Sequence, residues 1–189
     1  MRVLAIDTET TGLPPKGPLT KCELWPHIVQ LSYVIFDTDT NEIIEFDHVL
    51  RVPGEIPTTH IHGITKERSN AGEEFSDVYD KFAAMLLSVD IVVGHNLEFD
   101  LNMIRAECAR RQFRFETPTG QYCTMRESKE RVGIRTESGY IKYPRLGELY
   151  EFLFHEPPSN WHNALADAYM SLRCFHMLVL KHDNVLLKR

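Results

Sequence analysis

The chain opens on four apolar residues, Val3-Leu4-Ala5-Ile6, that run straight into a carboxylate, Asp7. A short apolar run with polar ends predicts a buried strand over residues 2–7. Thr11 to Pro26 carries Gly12, Pro14, Pro15, Gly17, Pro18 and Pro26, which interrupt regular backbone, so this stretch is predicted to be a loop. Residues 28–36, rich in β-branched and aromatic side chains, predict a second strand, and residues 42–50 a third. Asp39, Thr40 and Asn41 between them supply the turn of a hairpin. The period then changes. Phe75, Val78, Tyr79, Phe82, Met85 and Leu86 recur at the spacing of an amphipathic helix over residues 73–88. Residues 90–94 predict a short buried strand, and Asn96 is placed to cap a helix that runs to about Arg111. A last short strand is predicted over 121–124, a loop over 133–144 (Gly133, Gly139, Pro144), and helices over 145–154 and 163–181. In the last helix Leu165, Ala168, Leu172, Phe175 and Val179 share one face.

Three early strands followed by strands alternating with helices predict an α/β fold, a mixed sheet flanked by helices. A chain of 189 residues holds one sizeable core and is too short for two ordinary domains, so residues 1–189 are expected to form one domain. No apolar run approaches the roughly 18–20 residues that span a bilayer. The four apolar residues before Asp7 are too few for a signal-peptide core. The expectation is an intracellular protein, cytoplasmic or nuclear, with no membrane partner. None of Cys22, Cys108, Cys123 and Cys174 forms a CxxC pair, which excludes zinc-ribbon and thioredoxin-type sites and leaves buried or idle thiols. The net charge of −6 argues against a nucleic-acid binder. A protein that holds divalent metals needs an acidic cluster, however, and the metals would return positive charge where phosphate arrives. Global charge therefore decides neither way.

The candidate chemistry lies in three places. Asp7 and Glu9 are two apart at the end of the first strand, so they point the same way if the strand continues through Glu9. Paired carboxylates suit a hard divalent cation, though an acidic turn in solvent would look the same. Asp100, in the first turn of the helix after Asn96, suits a cation site and equally suits the helix dipole. Asp167 sits among Ala164, Leu165, Ala166 and Ala168, small neighbours that leave room for a ligand. His162, five residues earlier, cannot share a helical face with Asp167 and must reach the site from the preceding loop. Each is unremarkable alone. Together they put four carboxylates on three elements, each at a strand end or helix start, where sites in α/β folds collect.

In this order and spacing the residues resemble the DEDDh, or DnaQ-like, exonucleases, which include the proofreading subunit of replicative DNA polymerase, RNase T and oligoribonuclease. The family's Asp-x-Glu-Thr-Thr-Gly-Leu appears as Asp7 to Leu13, its His-Asn-x-x-Phe-Asp as His95 to Asp100, and its His-x-x-x-x-Asp as His162 to Asp167. His62-Gly63-Ile64-Thr65 matches a segment often found before the second motif. The loop from Pro14 to Trp25 looks longer than in compact members, and Gly133 to Tyr143 is idiosyncratic.

The resemblance implies an RNase H-like sheet of five strands, three antiparallel and then two parallel. It implies a 3′→5′ exonuclease with two divalent ions, Mg²⁺ or Mn²⁺, held by Asp7, Glu9, Asp100 and Asp167, and His162 as the general base. Thr10, Thr11, Gly12, Leu13, His62, Ile64, Asn96 and Phe99 would contact the strand end, with Leu13 and Ile64 against the last bases unless they are core. Two basic groups could hold the backbone, Arg105, Arg110, Arg111 and Arg114, or Lys129, Arg131, Arg135, Lys142 and Arg145, although a solvated helix face also accounts for the first. The expected partner is the 3′ end of DNA, single-stranded or frayed, with release of nucleoside 5′-monophosphates and a possible link to a polymerase or replication complex. The alternatives are RNA as substrate, or a non-catalytic nucleic-acid-binding scaffold. Oligomeric state is left open.

Overall fold

Nine of the ten residues of the strand Ile28–Asp37 are buried, so that strand has no solvent face and must lie between two layers. The computed structural model describes residues 1–15, 19–118, 120–158 and 163–188. Five strands, β1 (Arg2–Thr10), β2 (Ile28–Asp37), β3 (Ile43–Val49), β4 (Ile91–Gly94) and β5 (Gln121–Cys123), form one sheet in the order β3-β2-β1-β4-β5. β1, β2 and β3 pair antiparallel, while β4 and β5 run parallel to β1. This is the mixed α/β sheet expected from the sequence.

The helices among the described residues are α1 (Thr59–His62), α2 (Lys66–Asn70), α3 (Phe75–Leu87), α4 (Leu97–Arg111), α5 (Thr124–Val132), α6 (Leu146–Phe154) and α7 (Ala164–Phe175). Alternation along β1 sends Leu4 and Ile6 to one face, where Phe82 of α3 and Leu101 and Ile104 of α4 cover them. Val3 and Ala5 go to the other face, against Ala168, Leu172 and Phe175 of α7. α6 packs on the far side of α7 through Leu149 and Leu153. α4 and α7 therefore flank the same central strand from opposite sides, and both bring their N-termini to the end where Asp7 and Glu9 lie.

Several elements escaped the hydrophobic pattern, among them a 3₁₀ turn at Val185–Leu187. α1 and α2 have four and five residues, too few to show a period. The predicted loop 11–26 contains a 3₁₀ turn over Leu19–Leu24. α5 buries only Thr124 and Ser128 and so has no apolar stripe to read. Val179 corrects an expectation: it is exposed, and Leu178 is buried in its place. At His176 the backbone changes to a π-helical turn through Leu180. The wider turn rotates the buried face by one residue.

The residue before β5 approaches the start of β4 closely enough to require a glycine. A Cβ on Gly120 would lie 2.1 Å from the Asp90 carbonyl oxygen. Gly120→Ala is expected to cost about 1–3 kcal/mol through this backbone clash. Thermal unfolding followed by circular dichroism should show the melting temperature falling by several degrees; an unchanged value would contradict the close approach.

Candidate metal and nucleic-acid site

β1 continues through Thr10, so the condition for pairing the first two acids is met. Asp7 and Glu9 extend the Val3–Ala5 face toward α7, whose first turn carries Asp167. Asp7, Glu9 and Asp167 each offer a carboxylate oxygen, and these oxygens all lie within 4.8 Å of one another. Asn163 caps α7, its side chain accepting the Ala166 N–H at 3.2 Å. That cap defines where the helix begins and so where Asp167 sits.

Asp100 arrives from the α4 side. It is buried, and the Thr8 hydroxyl donates to its Oδ1 at 2.8 Å. It is not one of the three mutually close acids, but it is the leading charge acting on Asp7. Burial first, and then Asp100, Asp167 and Glu9, push the Asp7 carboxyl well above its ordinary range. Burial and the Asp167 charge raise Glu9 to about 7. Burial also raises Asp100 and Asp167. No ion pair reaches any of the four among the described residues. Hard oxygen donors with uncompensated charge in one place are the donor set a Mg²⁺-like cation fits.

A sequence model of the exonuclease family matches residues 4–175. The chain belongs to the exonuclease family. Among solved structures it is similar to a protein described as a full-length 3′-exonuclease, with a TM-score of 0.68 at 16% identity over 95% of this chain. The chain spans 60% of the length of that protein. At this identity the likeness shows the RNase H-like fold. No curated protein matches the sequence. Exonucleases of this family generally use divalent metals, in keeping with the acid cluster.

His162 lies outside the described residues, together with Ser159, Asn160 and Trp161. The other expected exonuclease site residues divide into surface and support. Leu13 is 85% exposed at the end of the first motif, an apolar side chain standing free in solvent. Ile64 is 1% exposed and packs with Val29, Val52 and Ile56, so core packing accounts for it. Phe99 is half-buried against the main core. Asn96 precedes α4 with φ of 72° and makes no side-chain cap.

His62 is a strut. Its Nδ1 accepts the Ile64 N–H at 3.1 Å, so its Nε2 carries the proton and donates to the Thr58 hydroxyl at 3.0 Å. Thr58 in turn donates to the Thr10 carbonyl at 2.6 Å. The Thr10 hydroxyl donates to the Gly12 carbonyl at 2.7 Å, and Thr11 and His27 exchange hydrogen bonds. Within the His-Gly-Ile-Thr segment His62 thus braces the first motif through Thr58, while Gly63 and Thr65 are exposed.

The first basic group is also committed to structure. Arg110 donates to the carbonyls of Cys22, Trp25 and Pro26 and pairs with buried Glu107. Arg111 pairs with Glu107 too, and His27 and the Ile28 N–H complete that carboxylate's shell. This knot fastens the long loop to α4 and so sets the position of Thr11 to Leu13. Arg105 is bonded to Asn102 and Thr117, and Arg114 pairs with Glu116.

Sequence reading missed Thr8, Thr58 and Gln30. Gln30 and Ser32 stand opposite Glu9 and Asp7 in the sheet. Both donate to Asp47 on β3, at 2.6 and 2.7 Å. Gln30 Oε1 also accepts the Ala164 N–H at the start of α7. Two polar residues at i and i+2 within an apolar strand were the available signal.

Proposed function

We propose that the chain is a 3′→5′ exonuclease that hydrolyses the terminal phosphodiester of a nucleic-acid strand, DNA before RNA, and releases nucleoside 5′-monophosphates. The observation that carries this reading is the approach of the Asp7, Glu9 and Asp167 oxygens within 4.8 Å of one another, with no ion pair to any of them among the described residues. Asp7, Glu9 and Asp167 would hold divalent cations, with Asp100 contributing beside Asp7. Two bound Mg²⁺ or Mn²⁺ ions would supply Lewis-acid stabilisation of charge on the phosphoryl group.

The chain's own residues supply the rest. His162 precedes the α7 cap and would take the proton of the attacking water. The peptide groups of Thr11 and Gly12, held by His27, Thr58 and the Thr10 hydroxyl, would face the strand terminus. Exposed Leu13 would pack against the last base, a contact that tolerates any sequence.

His162→Ala is expected to lower kcat by about 10²–10⁴ with little change in KM or melting temperature. Single-turnover rates on a 5′-labelled oligonucleotide measure this; near-wild-type turnover would remove His162 as the base. The function itself is tested on 5′-labelled single-stranded DNA, duplex, mismatched-end DNA and RNA of one sequence, with Mg²⁺ or EDTA. The expected product is a ladder that starts at full length, requires metal and is strongest on single-stranded or mismatched DNA. A stronger ladder on RNA would move the substrate to RNA, and intact oligonucleotide with every metal would leave a binding scaffold.

A further inference from the structure

Residues 129–145 carry five cations (Lys129, Arg131, Arg135, Lys142, Arg145) and two acids (Glu130, Glu137), a local balance of +3 in a chain of −6. Unlike Arg110, Arg111 and Arg114 of the first basic group, Arg131, Arg135 and Arg145 are in no ion pair among the described residues, while Lys129 pairs with Glu130 and Lys142 with Glu148. The predicted loop is a formed ridge. The Thr136 N–H donates to the Tyr140 carbonyl and the Lys142 N–H to the Ile134 carbonyl, both at 2.8 Å. The Arg135 guanidinium closes the tip on the Gly139 carbonyl at 2.7 Å. The ridge presents two rings to solvent, Tyr140 at 76% and Tyr143 at 49% exposure.

Its base is tied to the acid cluster's end of the sheet. His95, directly after β4, is kept neutral by burial, with its pKa lowered to about 4. Its Nε2–H donates to the Pro144 carbonyl at 3.0 Å, and its Nδ1 takes the Thr124 hydroxyl at 3.0 Å. The second motif's histidine therefore does not face the acids; it holds the segment between Tyr143 and Arg145. A concavity of about 410 Å³ runs from Asp167 to Tyr143 and Arg145 over a floor of Met125, Leu146 and Met170.

We infer that this concavity and ridge hold the strand on the 5′ side of the bond being cut, as single-stranded nucleic acid. The inference rests on the exonuclease reading above. A strand crossing the acid cluster places one nucleotide on each side of the scissile phosphate. Thr10 and Thr11, which lead to Leu13, are bonded to Thr58 and His27 on the β2 side of β1, whereas the concavity lies beside His95 and Met125, which follow β4 and β5. With the terminal nucleotide at Leu13, the preceding ones therefore cross the acids toward the concavity. An exposed ring stacks any base and an unpaired arginine takes a phosphate, which together recognise a strand without reading its sequence.

The test compares two substrates in Mg²⁺: single-stranded dT10, and the p-nitrophenyl ester of thymidine 5′-monophosphate, which has no nucleotide beyond the scissile phosphorus. For Tyr143→Ala and Arg145→Ala the KM on dT10 is expected to rise about tenfold each, with kcat and hydrolysis of the ester changed less than about twofold. Tyr143→Phe should retain wild-type KM. For Arg145→Ala the slope of log(kcat/KM) against log salt on dT10 should shrink by about 0.7. Unchanged KM on dT10, or equal losses on both substrates, would overturn the inference. Wild-type protein inert on both would sink the exonuclease reading, and this inference with it.

Discussion

Asp7→Asn is expected to lower exonuclease turnover by more than about 10³-fold in Mg²⁺ while the protein stays folded. Asp7 stands on the central strand, flanked by α4 and α7, and is the acid on which the charges of the other three converge. Asparagine keeps the shape and one acceptor oxygen but removes the charge that holds the cations. Losing several kcal/mol of charge stabilisation at the phosphoryl group corresponds to at least this factor. Single-turnover assays over a range of Mg²⁺ and Mn²⁺ measure it, with circular dichroism as the check on folding. Turnover within tenfold of wild type would mean that the cluster is not where the chemistry occurs. Gln30 offers a graded comparison, since it touches the start of α7 and not the acids themselves.

The same substitution should stabilise the metal-free protein. Glu9 ordinarily titrates at 4.5 and is raised to about 7 in the fold. Between those values the folded protein keeps a proton that the unfolded chain has lost, so this contribution to stability falls as pH rises from about 4.5 through about 7. Asp7 is shifted in the same direction by the same causes. In EDTA at pH 8, Asp7→Asn is therefore expected to gain about 1–3 kcal/mol, read as a melting temperature several degrees above wild type. At pH 5 the gain should shrink, because the fold already holds protons there. Mg²⁺ at pH 8 should raise the wild-type melting temperature and leave the variant nearly unmoved. A variant less stable than wild type in EDTA at pH 8 would contradict the mutual repulsion of the acids.

Much of the site was legible as spacing. Asp7 and Glu9 at i and i+2 on a strand share a face by geometry alone, and β1 does run through both. The three motifs in order led to the family that the match over residues 4–175 shows. What spacing could not reveal is which residues face solvent. His62 and His95 both sit in motifs, and the resemblance implies a strand-end contact for His62, yet each spends both ring nitrogens on holding a loop. Ile64 and Leu13 are both apolar and both flank motif residues, yet one is core and the other stands in solvent. The two basic groups have similar composition, and only their partners separate them.

By itself the sequence determined the order and type of the main strands and helices, because burial on a sheet or helix imposes periods of two or 3.6 that can be read locally. It also singled out the acids as candidates by their spacing, and three of them, Asp7, Glu9 and Asp167, do come together. Tertiary structure alone decided that α4 and α7 flank β1 from opposite sides and bring Asp100 and Asp167 to the end that carries Asp7 and Glu9. Such contacts join positions more than ninety residues apart, as the Thr8–Asp100 bond does, and no local period encodes them. The ridge at 134–145 came from the same source: its polar sequence has no apolar face, and its shape is set by backbone hydrogen bonds and by a histidine that precedes it by some fifty residues.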